Sequence, residues 1–243
     1  MKKLMIVDVT RMDHNNCCIA GVCREEDDKL YRLNSPHISQ AVARHVCFET
    51  GRVFAGEFTR MPHAPSPHVE DCNWRIISTG ELGVDADMKS YLQSSCVSDL
   101  EVGLGVTQKG TDVVDYVDRG RSITTIKPLS ATLWIDEPFS AEERPKLKMH
   151  LSDGGHDFRY ITVNDLRFYN NDGTIDSGRV ARAQMCLAKW RRGELDLYVR
   201  TGLTRSYKGK YWLQVDGLHF FRHNTGEYCH RFLTSSSDFQ NVA

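Results

Sequence analysis

The sequence predicts a mostly-β protein with a few short helices, an α+β chain folded as two tandem small β-barrels. Three observations lead there. Short runs rich in β-branched residues recur with turn signals about every 8–12 residues, the rhythm of small barrels and sandwiches. Helical periodicity is confined to a few windows. The 243 residues suffice for two domains of roughly 100–130 residues each.

The elements follow in order. Leu4-Met-Ile-Val-Asp-Val and Cys17-Cys-Ile-Ala-Gly-Val-Cys read as strands around a polar turn at His14-Asn-Asn, and Leu30-Tyr-Arg-Leu continues the meander after Asp27-Asp28. Ser39 to Cys47 is a short helix, with Ile38, Val42 and Val46 at helical spacing. Val53-Phe-Ala-Gly-Glu-Phe-Thr is again strand, and Pro62, Pro65 and Pro67 impose an extended loop. Residues 78–101 read as mainly helical until Gly103, Gly105 and Gly110 break the pattern. Thr124–Ile135 is strand interrupted by Pro128, and Leu147–Leu151 with Phe158–Val163 form a hairpin around Ser152-Asp-Gly-Gly-His. A helix runs from Ser177, as N-cap, to about Lys189. Leu195–Thr201 and Tyr211–Val215 close the chain as strands, with Arg205–Lys210 the loop between them. Two OB-like barrels, over 1–110 with a helical insert and over 111–243 with a basic face, satisfy this count.

Composition narrows the class. With 40% hydrophobic and 26% charged residues the chain is globular, not disordered. No window approaches the ~18 consecutive apolar residues of a membrane span. The apolar run after Lys2-Lys3 meets Asp8 too soon for an export signal, so a cytoplasmic location is expected. The eight cysteines include no Cys-x-x-Cys pair, which points to reduced thiols, with no structural zinc and no cofactor expected. Net charge is −1, but residues 1–125 hold 14 basic and 18 acidic residues, whereas 179–231 hold 11 basic and 4 acidic. Local excess is what binds phosphates, because screening confines the field to roughly 8–10 Å.

Several stretches resemble a known family. Val7-Asp-Val-Thr-Arg-Met with Cys18-Ile-Ala-Gly-Val, then Pro67-His-Val-Glu-Asp, then Gly202-Leu-Thr-Arg and Tyr211-Trp-Leu-Gln-Val-Asp-Gly-Leu-His are similar to landmarks of bacterial dual OB-fold domain proteins. After Glu70-Asp71 this chain has Cys72 and then Trp74 instead of an immediate aromatic. The resemblance implies tandem OB-like barrels and a role in DNA modification or defence against foreign DNA. A second association, with proteins that finish deazaguanine-type modifications of DNA, implies an enzyme.

The residues point to three candidate sites. Arg200, Arg205, Lys208 and Lys210, interleaved with Tyr207, Tyr211 and Trp212, combine cations for phosphates with aromatic faces for bases. Arg179, Arg182 and Lys189 share a helix face, while Arg191 and Arg192 suit the helix dipole. His68, Glu70, Asp71 and Cys72, on the proline-stiffened loop, offer acid/base groups and a thiol, with Trp74 as a stacking ring; His63, His68 and Asp71 form an alternative metal set. Asp8, Thr10 and Arg11 fall at a barrel rim, and His219 and His223 read as packing residues. The functional expectation is a DNA-binding component of a modification or defence system. Its partners are DNA, single-stranded or modified duplex, and other proteins of the same locus. The alternatives are hydrolysis of a substituent on a modified base, and a protein–protein adaptor.

Overall fold

The computed structural model describes residues 1–12, 15–78, 80–116, 121–140, 142–206 and 208–229. It is 47% strand and 20% helix, so the mostly-β expectation holds. Among the described residues no helix is long and apolar enough to cross a membrane.

The first half forms a closed five-stranded barrel. Its elements are β1 (Lys2–Arg11), β2 (Asn16–Cys23), β3 (Lys29–Ser39), α1 (Gln40–His45), β4 (Arg52–Arg60) and β5 (Asp71–Ile76). The strands run β1-β2-β3-β5-β4 and β4 pairs back onto β1, with β3 and β5 parallel and the other pairs antiparallel. Helix α1 sits between the third and fourth strands and starts where Ser39 accepts a hydrogen bond from the Val42 amide, a side-chain cap on an orphan donor.

Strand β1 is apolar on both faces because it serves two cores. Leu4 and Ile6 enter the first barrel's core, while Met5 and Val7 enter a second cluster outside it. The β1–β2 register shifts between Ile6 and Asp8. A bulge inserts one residue and reverses the alternation beyond it. Val9 therefore returns to the barrel core, and Asp8 faces outward beside Val7.

Next come β6 (Glu81–Leu82), α2 (Asp85–Ser94), β7 (Cys96–Val97), α3 (Leu100–Leu104), β8 (Val106–Gln108) and β9 (Val113–Tyr116). The mainly helical stretch expected over 78–101 thus contains α2 and the start of α3, with β7 between them. The physical reason lies at the ends: Cys96 and Val97 pair in parallel with the chain at Thr125 and Ile126. Ser95 also hydrogen-bonds Thr125 at 2.7 Å, which pins the break. Leu100, Leu104 and Val106, on the N-terminal side of the expected 110/111 boundary, pack into the second core.

The second sheet is built from β10 (Ile123–Ile126), β11 (Ser130–Asp136), β12 (Lys146–Ser152), β13 (Asp157–Val163), α4 (Ser177–Arg191), β14 (Leu195–Leu203) and β15 (Tyr211–Arg222). Its order is β11-β12-β13-β15-β14-β10, with β13 and β15 parallel. Pro128 lacks a donor and breaks one extended stretch into β10 and β11. The first piece pairs with β14 and the second with β12, so the path returns to the strand it left. Helix α4 again falls between the third and fourth strands. Its N-cap is Asp176, whose carboxylate accepts from the Arg179 amide; Ser177, expected as the cap, is the first helical residue.

The halves are joined by an apolar cluster and a buried ionic network. Met5, Val7 and Val22 meet Tyr91 and Leu92 of α2, and Ile123, Tyr198 and Phe221 of the second sheet. Within it, Arg200 Nε donates to Asp8 Oδ2 at 2.9 Å and Arg200 Nη1 to Thr125 at 2.9 Å, with both partners of the ion pair 1% exposed. His219 Nε2 lies 3.4 Å from Asp8 Oδ1, and its Nδ1 is 3.0 Å from the Tyr228 hydroxyl. A side chain at Gly217 would place its Cβ 2.7 Å from His219 and 2.8 Å from Asp8, so glycine there makes room for the pair.

Removing one member of a buried ion pair costs about 3–5 kcal/mol, because the other is left uncompensated. Asp8→Ala should therefore lower the unfolding free energy by about that amount in urea denaturation. A loss within the roughly ±0.5 kcal/mol of surface substitutions would contradict the role given to the pair.

Candidate functional site

A cleft of about 1120 Å³ opens between the halves. The first barrel contributes the end of β1 (Thr10, Arg11), Cys18 of β2, Arg32 and Asn34 of β3, and His68 of the proline loop. The second contributes Arg144 and Lys146 from the β11–β12 turn, Thr162 of β13, Thr204 and Arg205 after β14, and Trp212, Gln214 and Asp216 of β15. The first–second and fourth–fifth turns of both halves and residues of both third strands thus face each other, joined by the first and second strands of the first barrel and the fifth strand of the second.

The lining is strongly cationic. Arg11, Arg32, Arg144, Lys146 and Arg205 supply five positive side chains against one carboxylate, Asp216. Arg32 and Arg205 share a single partner, Asp71, each at 2.5 Å, so this trio keeps a net positive charge. Arg11, Arg144 and Lys146 have no salt bridge among the described residues. Arg11 lies over the Tyr169 ring at 4.7 Å, within the range of a cation–π contact.

Asp216 is 3% exposed. Burial, with the charge of Asp8 added, pushes its carboxyl up to about 8 despite Arg200 and Arg32. At neutral pH it is therefore mostly protonated and does not offset the cations. Gln214 donates to Asp216 Oδ1 at 2.8 Å and accepts from Asn164 at 3.0 Å, a relay across the cleft floor. Gly202 makes the pocket for Asp216, since a Cβ there would fall 2.1 Å from Oδ2.

The His68–Cys72 segment divides its residues among different tasks. His68 reaches the cleft, where burial, together with Arg32 and Arg205, holds its imidazole down at about 3, hence neutral. Glu70 accepts from the Ser122 amide and hydroxyl, both at 2.9 Å. Asp71 accepts from Arg32, Asn34 and Arg205. Both carboxylates are brackets between the halves, with little capacity left for proton transfer. Cys72 lies in the first barrel's core, and burial, aided by Asp71, pushes its thiol up to about 12, the opposite of an activated nucleophile. His63 is exposed and does not join His68 and Asp71. The group with metal-ligand proximity among the described residues is Asp99, Asp153 and His156 instead, and there Asp99 and Asp153 already accept backbone amide hydrogens.

The basic residues separate likewise. Arg205 lines the cleft, and Lys208 and Lys210 are exposed on the same turn. Tyr207 lies outside the described residues. Arg200 is enclosed by Asp8, Thr125 and Tyr91 and does not reach solvent. Tyr211 packs against the second core. Arg179 pairs with Asp176 and donates to the Arg167 carbonyl, and Arg182 lies beside Met185 and Lys189 on α4. Trp74 donates its indole N–H to the Pro36 carbonyl at 2.9 Å and packs edge-on against Phe48. Of the rim residues, Thr10 and Arg11 line the cleft, whereas Asp8 is buried. His219 packs in the interface as expected, and His223 is exposed near Asp196.

Sequence reasoning missed Arg144, Lys146, Arg32 and Asp216. The signal for the first two was an Arg-Pro-Lys run in a turn between strands; nothing local marked Asp216. No protein-family model matches the chain, and no curated protein matches it. The class is defined by geometry: a mostly-β, two-part protein with a cation-lined cleft between its halves.

Folded, Asp216 holds its proton up to about pH 8; unfolded, it releases it near the ordinary aspartate value of 3.8. Its contribution to stability is complete below about pH 4 and drains away as pH rises toward 8. Asp216→Asn removes that drain. Its stability relative to the natural chain should increase between pH 4 and pH 8 and then level off in denaturation curves taken across pH. A pH-independent difference would contradict the buried, protonated assignment.

Proposed function

We infer that this chain binds DNA, holding a strand in the cleft between two OB-like barrels, as the binding component of a DNA-modification or defence system. The observation that carries the reading is the lining itself, five cationic side chains against one buried carboxylate. A phosphodiester backbone needs that local positive field. Trp212, half-buried in the same cleft, supplies an aromatic face for a base.

Topology supports the OB-like reading. Each half has the order first-second-third-fifth-fourth, returning to the first, with third and fifth strands parallel and a helix between third and fourth. OB barrels bind oligonucleotides through the face of strands two and three and through the first–second and fourth–fifth turns. Of these parts, the first–second and fourth–fifth turns of both halves and residues of both third strands meet in this cleft. The link to modification or defence comes from the resemblance of the landmark stretches, several of which also build the cleft: Thr10-Arg11, Cys18, His68, Leu203-Thr204-Arg205 and Trp212 to Asp216.

One observation favours a second reading, chemistry on a modified base. A carboxyl that keeps its proton near neutral pH is in the state a general acid needs. A changed nucleoside mass after incubation with modified DNA, lost in Asp216→Asn, would establish it.

Binding of labelled DNA should weaken with salt, with a slope of about −0.7 per phosphate neutralised on a single strand. Arg144→Ala and Lys146→Ala should each weaken binding and flatten that slope by about 0.7. Arg24→Ala, in a surface pair with Asp28, is the control. If Arg179→Ala or Arg182→Ala weakens binding more than the cleft variants do, the strand lies along α4 and the cleft assignment fails.

A further inference from the structure

The outer face of β11, β12 and β13 carries a cluster that neither the cleft nor the sequence motifs account for. Strand alternation sends Leu133, Met149 and Ile161 into the second core and leaves Trp134, His150 and Tyr160 on the other side. These three rings meet edge to face, with centroids 4.5 Å apart for Trp134–His150, 5.2 Å for His150–Tyr160 and 5.8 Å for Trp134–Tyr160. Rings this close leave no space between them for a ligand, so a further ring can only stack on their outer surfaces. Tyr160 is 50% exposed.

Tyr160 owes its position to a bulge. Met149 pairs with Ile161 and Leu151 with Phe158, so Arg159 and Tyr160 together oppose His150. Phe158 and Ile161 are buried on either side, and both bulge residues point to solvent. Tyr160 has φ 57°, the left-handed conformation in which such bulges ordinarily place glycine. A bulky side chain is costly there. The ring packs against Trp134 and His150 and still keeps half of its surface toward solvent, so a strained position is spent on a ring open to contact.

The cluster continues from the cleft. Lys146 and Thr162 line the cleft. One step further along the sheet, Lys148 pairs with Trp134 on one side and Thr162 on the other. Lys148 Nζ donates to the Thr162 hydroxyl at 2.9 Å and the Tyr160 carbonyl at 2.8 Å, which fixes a cation between cleft and rings. Arg159 adds an exposed cation on the far side of the bulge.

We propose that this face is a second binding surface, a stacking platform for the bases of a single-stranded DNA segment as it leaves the cleft. The inference rests on the cleft reading and adds the strand class, because stacking on Trp134 and Tyr160 requires unpaired bases. The flanking Lys146, Lys148 and Arg159 follow the phosphates while the rings take the bases. Sequence-tolerant binding follows, since every base has a π-face.

The test measures affinity of the full chain for a fluorescent oligothymidylate of about 20 nucleotides, longer than the ~4–16 nucleotides one OB barrel covers, and for its duplex with oligoadenylate. Trp134→Ala should weaken single-strand binding by about tenfold with the salt slope unchanged, because stacking releases no counterions. Duplex affinity should be unaltered, and Trp134→Phe should restore most of the loss. Tyr160→Gly separates contact from packing: it relieves the positive φ, so the melting temperature should hold or rise while single-strand affinity falls. Natural single-strand affinity in Trp134→Ala and Tyr160→Gly, with Arg144→Ala still weakened, overturns the platform and spares the cleft. Absence of binding by the natural chain at low salt overturns both.

Discussion

The structure depends on one buried ion pair, Asp8 with Arg200. Both groups are out of water, so desolvation is costly, and neighbours offset part of that cost. Thr125 takes one guanidinium N–H, Tyr91 lies beneath the cation at 5.6 Å, and His219 approaches the second carboxylate oxygen. Burial pulls the Asp8 carboxyl upward, but Arg200 and His219 outweigh it and keep the group below its usual range. The pair also spans the seam between the halves. A bulge in β1 aims Asp8, and Arg200 sits beside a register shift in β14. A purely apolar seam could slide, whereas a directional charge pair among Val7, Ile123 and Tyr198 has one good arrangement.

That arrangement leaves the cleft positive. Carboxylates near it are consumed elsewhere: Glu70 holds Ser122, and Asp71 joins Arg32 to Arg205 across the gap. Asp216, the remaining acid in the lining, keeps its proton chiefly because it is buried, with the charge of Asp8 adding to the effect. Asp8 of the pair that joins the halves therefore also helps to neutralise the one carboxyl in the cleft lining, while its partner Arg200 works against that. Structural and electrostatic roles are coupled through a single carboxylate.

Much of the fold was legible because it is written locally. The meander of β1 to β3, the short helix α1 after Ser39, the Pro128 break between β10 and β11, and the β12–β13 hairpin all follow from periodicity and turn chemistry. The site was less legible because its pairings are remote in sequence. Asp71 and Arg205 are 134 residues apart, and Asp8 and Arg200 are 192 apart. Arg200 stood in a basic, aromatic stretch that reads as surface, yet its position in a central strand buries it. Glu70 and Asp71 looked like acid/base groups, since sequence gives the residue type without showing that Ser122, Arg32 and Arg205 already occupy them. Tyr160 gave no signal at all: a bulge that turns two consecutive residues outward is invisible to a period-two pattern.

Ultraviolet cross-linking of a bromouracil-substituted DNA strand to the full chain, with the adducts mapped by peptide mass, tests the central claim most directly. The account predicts adducts on the β14–β15 segment at Trp212, on the wall of the cleft. Adducts confined to α4, or on the first barrel at Trp74, would contradict it.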